Sequence, residues 1–387
     1  MKKQPEPDWN PVSDDVRNNQ CDAYDTMRQR CPVAYSHDLG WSVFRHADVM
    51  TVLEDHETFS NNVSRYRSVP NGMDPPEHTA YRDAIEAFFD ADRLRLFEPV
   101  CRATAHALLA DIQTTGPVDL VDSFATPFSL HSQCCFLGWP METAASIRDW
   151  ARRSKEATRI GDRTRLDAVA SEFRIQVGAI LDARRRADSG ARDGIIGELL
   201  KTKVNGIQLS DDDIASILRN WTVGELGSLA SSIGIVASRL ATEPGLQAQL
   251  RAEPGLIPTA VEEILRVCGP LVSNRRRATR DVVLGGRHIA AGDRLTLMWV
   301  AANRDDTVFA HPGEVRLDRD ARHNLLFGAG IHICPGAPLA RLELRVAVEE
   351  LLEHFSQIEP AEIAPRRAVY PANGWESLPL KLVQHAS

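Results

Sequence analysis

The chain has 387 residues, 43% hydrophobic and 25% charged, and a net charge of −8. These values exclude a disordered, collagen-like or membrane-bundle chain and leave no global basic footprint for nucleic acid. No apolar run approaches the ~20 residues a bilayer span needs, and the first residues lack the apolar core of a secretion signal, so a soluble, cytoplasmic protein is expected.

Helical periodicity dominates. Short strand-like segments come first, at 33–35 and 41–44. Helix-period patterns follow over about 79–112, 143–158 and 164–187, and 189–193 reads as a surface loop. The longest predicted helix starts at Ser210, an N-cap followed by Asp211, Asp212 and Asp213, whose charges complement the helix dipole. It runs to about Thr242, where Glu243-Pro244-Gly245 stops it. About 33 residues make roughly 50 Å of helix, enough to cross the molecule. In its middle stand Gly224 and Gly227, each costing about 1 kcal/mol relative to Ala. Either another helix packs tightly there, or something bulky lies against the backbone. Residues 275–291 read as strands broken at Gly285-Gly286, with further strands at 295–300 and 378–383. The expected fold class is mainly α with small β-sheets, in a single domain over 1–387.

The seven cysteines are Cys21, Cys31, Cys101, Cys134, Cys135, Cys268 and Cys334. Their odd number and irregular spacing argue against a disulfide framework or a zinc ribbon. Cys334 stands apart. Gly328, Gly330 and Gly336 surround it, and a helical pattern begins at Pro338. Amides at a helix N-terminus favour thiolate over thiol, and a cysteine thiolate is one of the axial ligands of haem iron. Zinc would want further nearby ligands, and only His332 is close; a nucleophilic cysteine would want a base and an oxyanion site.

The run Phe327-Gly328-x-Gly330-x-His332-x-Cys334-x-Gly336 resembles the haem-binding signature of the cytochrome P450 family. Glu263-Ile-Leu-Arg266 resembles that family's Glu-x-x-Arg helix motif, and Arg319 matches the later arginine that completes its proximal brace. His78 and Arg82, in Asp74-Pro-Pro-Glu-His78-Thr-Ala-Tyr-Arg82, resemble the start of a propionate-binding helix, and Arg276 matches a propionate-binding arginine. Two buried propionates need cationic partners, which His78, Arg82, Arg276 and His332 would supply.

The resemblance implies the P450 fold, with haem b (iron protoporphyrin IX) between a long distal helix and the proximal cysteine loop, Cys334 on the iron, and Phe327, Gly328, Gly336 and Gly224 against the porphyrin. It implies a monooxygenase that activates dioxygen to hydroxylate or otherwise oxidise a small organic substrate, with electrons from a separate ferredoxin or flavodoxin and no membrane or nucleic-acid partner. Arg93, Arg95 and Arg102 are candidates for a basic docking patch. A haem-binding sensor or recruitment scaffold of the same fold is the alternative.

Two departures from the family pattern bear on mechanism. Where the distal helix carries an acid and an alcohol, this chain has Gly227 and Ser228, with Glu225 two residues earlier and turned by roughly 200°. Water and Ser228 would then deliver protons, with peroxide use or another atypical oxidation as the sharper possibility. Pro335, directly after the ligand, removes one amide that could hydrogen-bond the sulfur. By the same resemblance the pocket would take Val223 and Leu226 from the distal helix, Leu271, Val272, Ser273 and Asn274 after the brace helix, and Trp375 from the C-terminal strands. The loop 63–73 would lie over the haem; it is short, and its Arg65 and Arg67 could attract an acidic substrate.

Overall fold

Local caps set the helices. In a computed structural model that describes residues 5–186 and 194–385, the Ser210 hydroxyl accepts the Asp213 amide at 3.1 Å and opens the long helix as expected. The α-helix Asp211–Gly224 passes through one π-helical turn, Glu225–Leu229, and resumes as Ala230–Thr242. The predicted 79–112 helix is divided. Glu77–Glu86 ends in a 3-10 turn, Ala87–Phe89, and Asp90 then caps a new helix, Ala91–Ala110, by accepting the Arg93 amide at 2.8 Å. Asp90 is a good N-cap, and that local bond outweighs continued helical periodicity. The helices Ala144–Ile160 and Arg163–Arg186 match their predicted spans closely. The loop expected at 189–193 lies outside the described residues.

The helices Ala91–Ala110, Thr126–Leu137, Ala230–Thr242 and Ala337–His354 share one apolar core, which includes Phe97, Phe128, Ile233 and Leu351. Each such side chain, fully withdrawn from water, contributes about 1.5–3 kcal/mol. This bundle fixes the long helix relative to the helix that follows Cys334.

The main sheet has the strand order Val33–Ser36, Gly40–Val43, Arg294–Met298, Ser273–Ala278, Phe59–Ser60. Only the pair of Gly40–Val43 with Arg294–Met298 is parallel. Gly285 and Gly286, both at positive φ, turn a hairpin between Val282–Leu284 and Arg287–Ile289. The strand expected over 295–300 stops at Met298. The Trp299 amide turns to the Val272 carbonyl at 3.0 Å, and Trp299–Ala302 forms a helical turn. The C-terminal strand Pro379–Gln384 pairs with Phe355–Pro360 and Val118–Asp119. Among the described residues no helix is long and apolar enough to cross a membrane.

Candidate functional site

The cysteine loop is built by its glycines. Gly328 and Gly330 sit at φ +74° and +69°, and a Cβ at Gly330 would lie 2.7 Å from the Leu53 carbonyl oxygen. The loop closes when the Cys334 amide donates to the Phe327 carbonyl at 2.9 Å. Pro335 offers no donor, but the Gly336 and Ala337 amides lie near enough to the Cys334 sulfur to pull its thiol down, and the Ala337 amide donates to the Cys334 carbonyl at 3.3 Å. The sulfur therefore sits beside two amides at the head of the helix Ala337–His354. The expected bias toward thiolate is reversed in the protein alone. Surrounding protein pushes the thiol up, more than the two amides, Arg82 and Arg341 pull it down. The Arg341 guanidinium lies 4.7 Å from the centre of the Phe327 ring and pairs with Glu262.

Near the loop stands a group of basic side chains short of anions. The His78 and His332 rings are 4.2 Å apart, and the Nε2 atom of each is buried without a hydrogen-bond partner. Burial first, then His78, Arg276 and Arg82, drive His332 down to about 3; burial and Arg82 also lower His78. Arg276 is buried, its guanidinium bonds among the described residues only the Arg275 carbonyl, at 2.8 Å, and desolvation lowers it to about 10. Arg82 reaches Glu86 at 2.6 Å and the Ile333 carbonyl at 2.5 Å. Buried cations with so few counter-charges are costly, and an anionic ligand would relieve that cost.

The brace beneath the site is complete. Glu263 accepts Arg266 Nε at 2.7 Å and Nη2 at 2.8 Å, and Arg319 Nε at 2.7 Å. Arg266 also bonds the carbonyls of Asn303, Pro312 and Glu314, which fastens the chain leading into the cysteine loop.

On the distal helix a Cβ at Gly224 or Gly227 would meet nothing within 4 Å. Tight helix packing is therefore not their reason, and the backbone here faces open space. The π-helical turn begins at Glu225, the distortion that sequence periodicity does not reveal. Glu225 does not turn toward the face of Gly227. Its carboxyl hydrogen-bonds that of Glu343, on the helix after Cys334, and Glu343 also accepts the Ser132 hydroxyl. Burial raises both carboxyls, Glu343 to about 7, and the like charge of Glu343 adds to the upward push on Glu225. This pair was missed in the sequence, and no spacing rule would have found it.

Of the expected pocket residues, Val223 and Leu271 are exposed large apolar side chains, and Asn274 is exposed on its strand. Leu226 is part-buried beside the core. Trp375 packs under Arg367 and near Gly234 of the long helix. Val272 and Ser273 lie inside the protein. Val272 is fully buried with Trp9, Tyr24 and Phe44, and Ser273 is buried with its hydroxyl 3.1 Å from that of Tyr370. The charges of the short loop are also spoken for. Arg67 pairs with Asp213 at 2.8 Å, Glu77 at 3.2 Å and the Tyr81 hydroxyl at 3.0 Å, while Arg65 pairs with Asp167 at 2.6 Å. They stitch the loop to neighbouring helices beside a cavity of about 540 Å³. Likewise Arg93 pairs with Glu198, Arg95 with Asp92, and Arg102 with Glu349 and Glu350, so the proposed docking patch is a mesh of matched charges.

Comparison with known proteins agrees with this geometry. The family model described as Cytochrome P450 matches residues 163–369. Cyclomarin C epoxidase of Salinispora arenicola is 31% identical over 332 residues, covering 82% of this chain and 84% of its own. Erythromycin C-12 hydroxylase of Saccharopolyspora erythraea is 34% identical over 352 residues, 86% of each chain. Among solved structures, cytochrome P450 CYP109Q5 from Chondromyces apiculatus superposes with a TM-score of 0.87 at 26% identity, over 97% of this chain and 98% of that one. The open form of cytochrome P450 EryK from S. erythraea gives 0.86 at 29% identity, over 96% of each. The family match takes in the distal helix, the brace and the cysteine loop alike: the chain belongs to the cytochrome P450 family, and it is an oxidoreductase of the monooxygenase kind.

Proposed function

We propose that this chain uses haem b, with Cys334 as the axial thiolate, to hydroxylate or epoxidise a small organic molecule, with electrons arriving from a separate ferredoxin or flavodoxin. The family implies a haem, and the residues fit one. The unpartnered Nε2 atoms of His78 and His332 and the under-compensated Arg276 are the complement of two propionates. The Cys334 sulfur, beside its two amides, presents the soft donor that iron needs. When bound, the haem supplies reductive activation of dioxygen.

The protein's own share is position and protons. Gly224 and Gly227 leave the distal backbone open, and Ser228, within the π-helical turn, offers a hydroxyl that passes protons between water and the reacting face. Glu225 does not serve as the missing acid. Its carboxyl is committed to Glu343, which anchors the π-helical turn to the helix behind Cys334. Val223, Leu226 and Leu271 would give the substrate an apolar seat. Hydroxylase and epoxidase relatives support this reaction class.

The observation that carries the reading is the cysteine loop itself: one sulfur beside the Gly336 and Ala337 amides, with buried basic side chains short of acceptors next to it. Substrate-dependent oxygen consumption by the haem-loaded protein with a surrogate ferredoxin and reductase tests it. Product carrying one atom from labelled dioxygen is expected. A substrate-induced Soret shift without oxygen uptake would leave only a binding role.

A further inference from the structure

We propose that Cys21 and Cys268 are a reversible redox pair, oxidised to a disulfide by exchange with a low-molecular-weight disulfide such as oxidised glutathione, and that the bond clamps the N-terminal helix to the end of the brace helix. The two sulfurs lie 4.0 Å apart although the residues are 247 apart in sequence. Cys21 is the second residue of the helix Gln20–Arg30, and Cys268 caps the C-terminus of Ile257–Val267. Both residues are part-exposed but their sulfurs are largely covered, so exchange with a small disulfide proceeds through local opening at the start of the helix Gln20–Arg30.

Their surroundings hold them in place and favour exchange. One turn after Cys21, Asp25 pairs with Arg304 Nη2 at 2.6 Å, and another nitrogen of Arg304 lies 3.5 Å from the Val267 carbonyl, beside Cys268. Arg304 thus already bridges the same two helices, by an ion pair to one and a hydrogen bond to a carbonyl of the other. The Asn373 amide donates to the Cys268 sulfur at 3.3 Å and to the Gly269 carbonyl at 3.0 Å. The Cys21 thiol, hydrogen-bonded to the Cys268 sulfur, lowers Cys268 to about 7, with Asn373, Arg367 and Arg304 adding to the effect against burial. The Asn373 amide on the Cys268 sulfur favours the thiolate there, which assigns Cys268 as the attacking sulfur and Cys21 as the resolving thiol.

The step balances. The Cys268 thiolate attacks one sulfur of oxidised glutathione, forms a mixed disulfide and expels one glutathione thiolate. Cys21 then loses its proton to water and attacks the Cys268 sulfur, expelling the second. Two protein thiols are oxidised and one small disulfide is reduced to two thiols. The closed ring spans most of the chain, which in the chain-entropy account makes the cross-link strongly restrictive of the unfolded state. Because only Gly269 and Pro270 separate Cys268 from Leu271–Asn274, the clamp also ties down the entry to the main-sheet strand Ser273–Ala278.

The test equilibrates the haem-loaded protein in glutathione buffers of graded ratio, quenches with acid, alkylates and maps peptides. The expected result is a reductant-sensitive Cys21–Cys268 cross-link with the other five of the seven cysteines alkylated. In Cys21→Ser, glutathione should accumulate on Cys268; in Cys268→Ser, modification of Cys21 should be at least tenfold slower. The cross-linked protein should melt a few degrees higher than the reduced one, and Cys268→Ser should lose that difference. Cys21 and Cys268 alkylated or glutathionylated separately in the most oxidising buffer would overturn the pair. A cross-link that leaves the melting temperature unchanged would overturn the clamp. Neither result depends on turnover.

Discussion

The Glu225 and Glu343 carboxyls meet inside the protein, one from the π-helical turn of the distal helix and one from the helix that follows Cys334. Two buried like charges cannot both ionise at low cost, so at neutral pH the pair retains at least one proton. The Ser132 hydroxyl satisfies one Glu343 oxygen. Glu225 Oε1 and Glu343 Oε2 have no other partner, as a shared proton requires.

That relationship sets a pH dependence. Glu343 titrates near 7 when folded against an ordinary value of 4.5, with Glu225, Ser132 and Cys101 among its neighbours. The folded state therefore binds more protons than the unfolded state between those values, and stability falls as pH rises through them. Glu343→Gln keeps the Ser132 bond and removes this titration. Its stability relative to wild type should rise by up to roughly 3 kcal/mol between pH 5 and pH 8. Urea unfolding at several pH values measures it; parallel curves for the two proteins would contradict the shared proton.

Proton delivery should rest on Ser228. Ser228→Ala should lower product formed per NAD(P)H about tenfold or more, with the lost electrons appearing as peroxide. Peroxide-driven turnover should change little, because peroxide brings its own protons. Gly227→Asp has room for the new side chain and should raise coupling by less than about twofold if water and Ser228 suffice. A large gain would show that the missing acid limits this enzyme.

Arg276 should act with opposite sign in the two forms of the protein. It is buried and weakly partnered without an anion, so Arg276→Met should leave the apoprotein melting no lower than wild type. Loss of a charge-assisted bond to a propionate should weaken haem retention roughly 10–100-fold, read as faster transfer to apomyoglobin. An apoprotein that melts lower, with unchanged haem transfer, would mean that Arg276 serves the sheet instead.

Glu263→Ala strands Arg266 and Arg319 without their shared carboxylate. A loss of about 3–5 kcal/mol is expected from chemical denaturation. Glu263→Gln should recover part of it, since the amide oxygen still accepts from both guanidinium groups.

Pro335→Leu would add an amide to the two that already lie near the Cys334 sulfur. A further donor draws electron density from sulfur, so the iron potential should rise, by roughly 40 mV for each kcal/mol by which the added bond favours the reduced form. Spectroelectrochemical titration reads it, and an unchanged or more negative potential would contradict the assignment.

The cysteine loop and the Glu263–Arg266 pair are legible in the sequence because their parts are neighbours along the chain. The long helix is legible from Ser210 and its three aspartates. What escapes is contact between distant segments. Arg65 and Arg67 look like free loop charges until Asp167 and Asp213 are brought to them by the fold. Val272 reads as a pocket residue, yet the Trp9 and Phe44 side chains, brought from distant segments, close over it in the core. The π-helical turn leaves no mark on periodicity, because one extra residue per turn is smaller than the tolerance of an apolar pattern. The break at Asp90 was readable, since an N-cap residue stands directly before Ala91, but continuous helical periodicity masks it.

The central claim is that the Cys334 sulfur holds the haem iron, and the carbon monoxide spectrum of the dithionite-reduced, haem-loaded protein tests it most directly. The account predicts the strongly red-shifted Soret band of thiolate ligation, lost in Cys334→Ser while circular dichroism shows the fold intact. A folded, haem-loaded wild-type protein whose carbon monoxide complex lacks that band would contradict it.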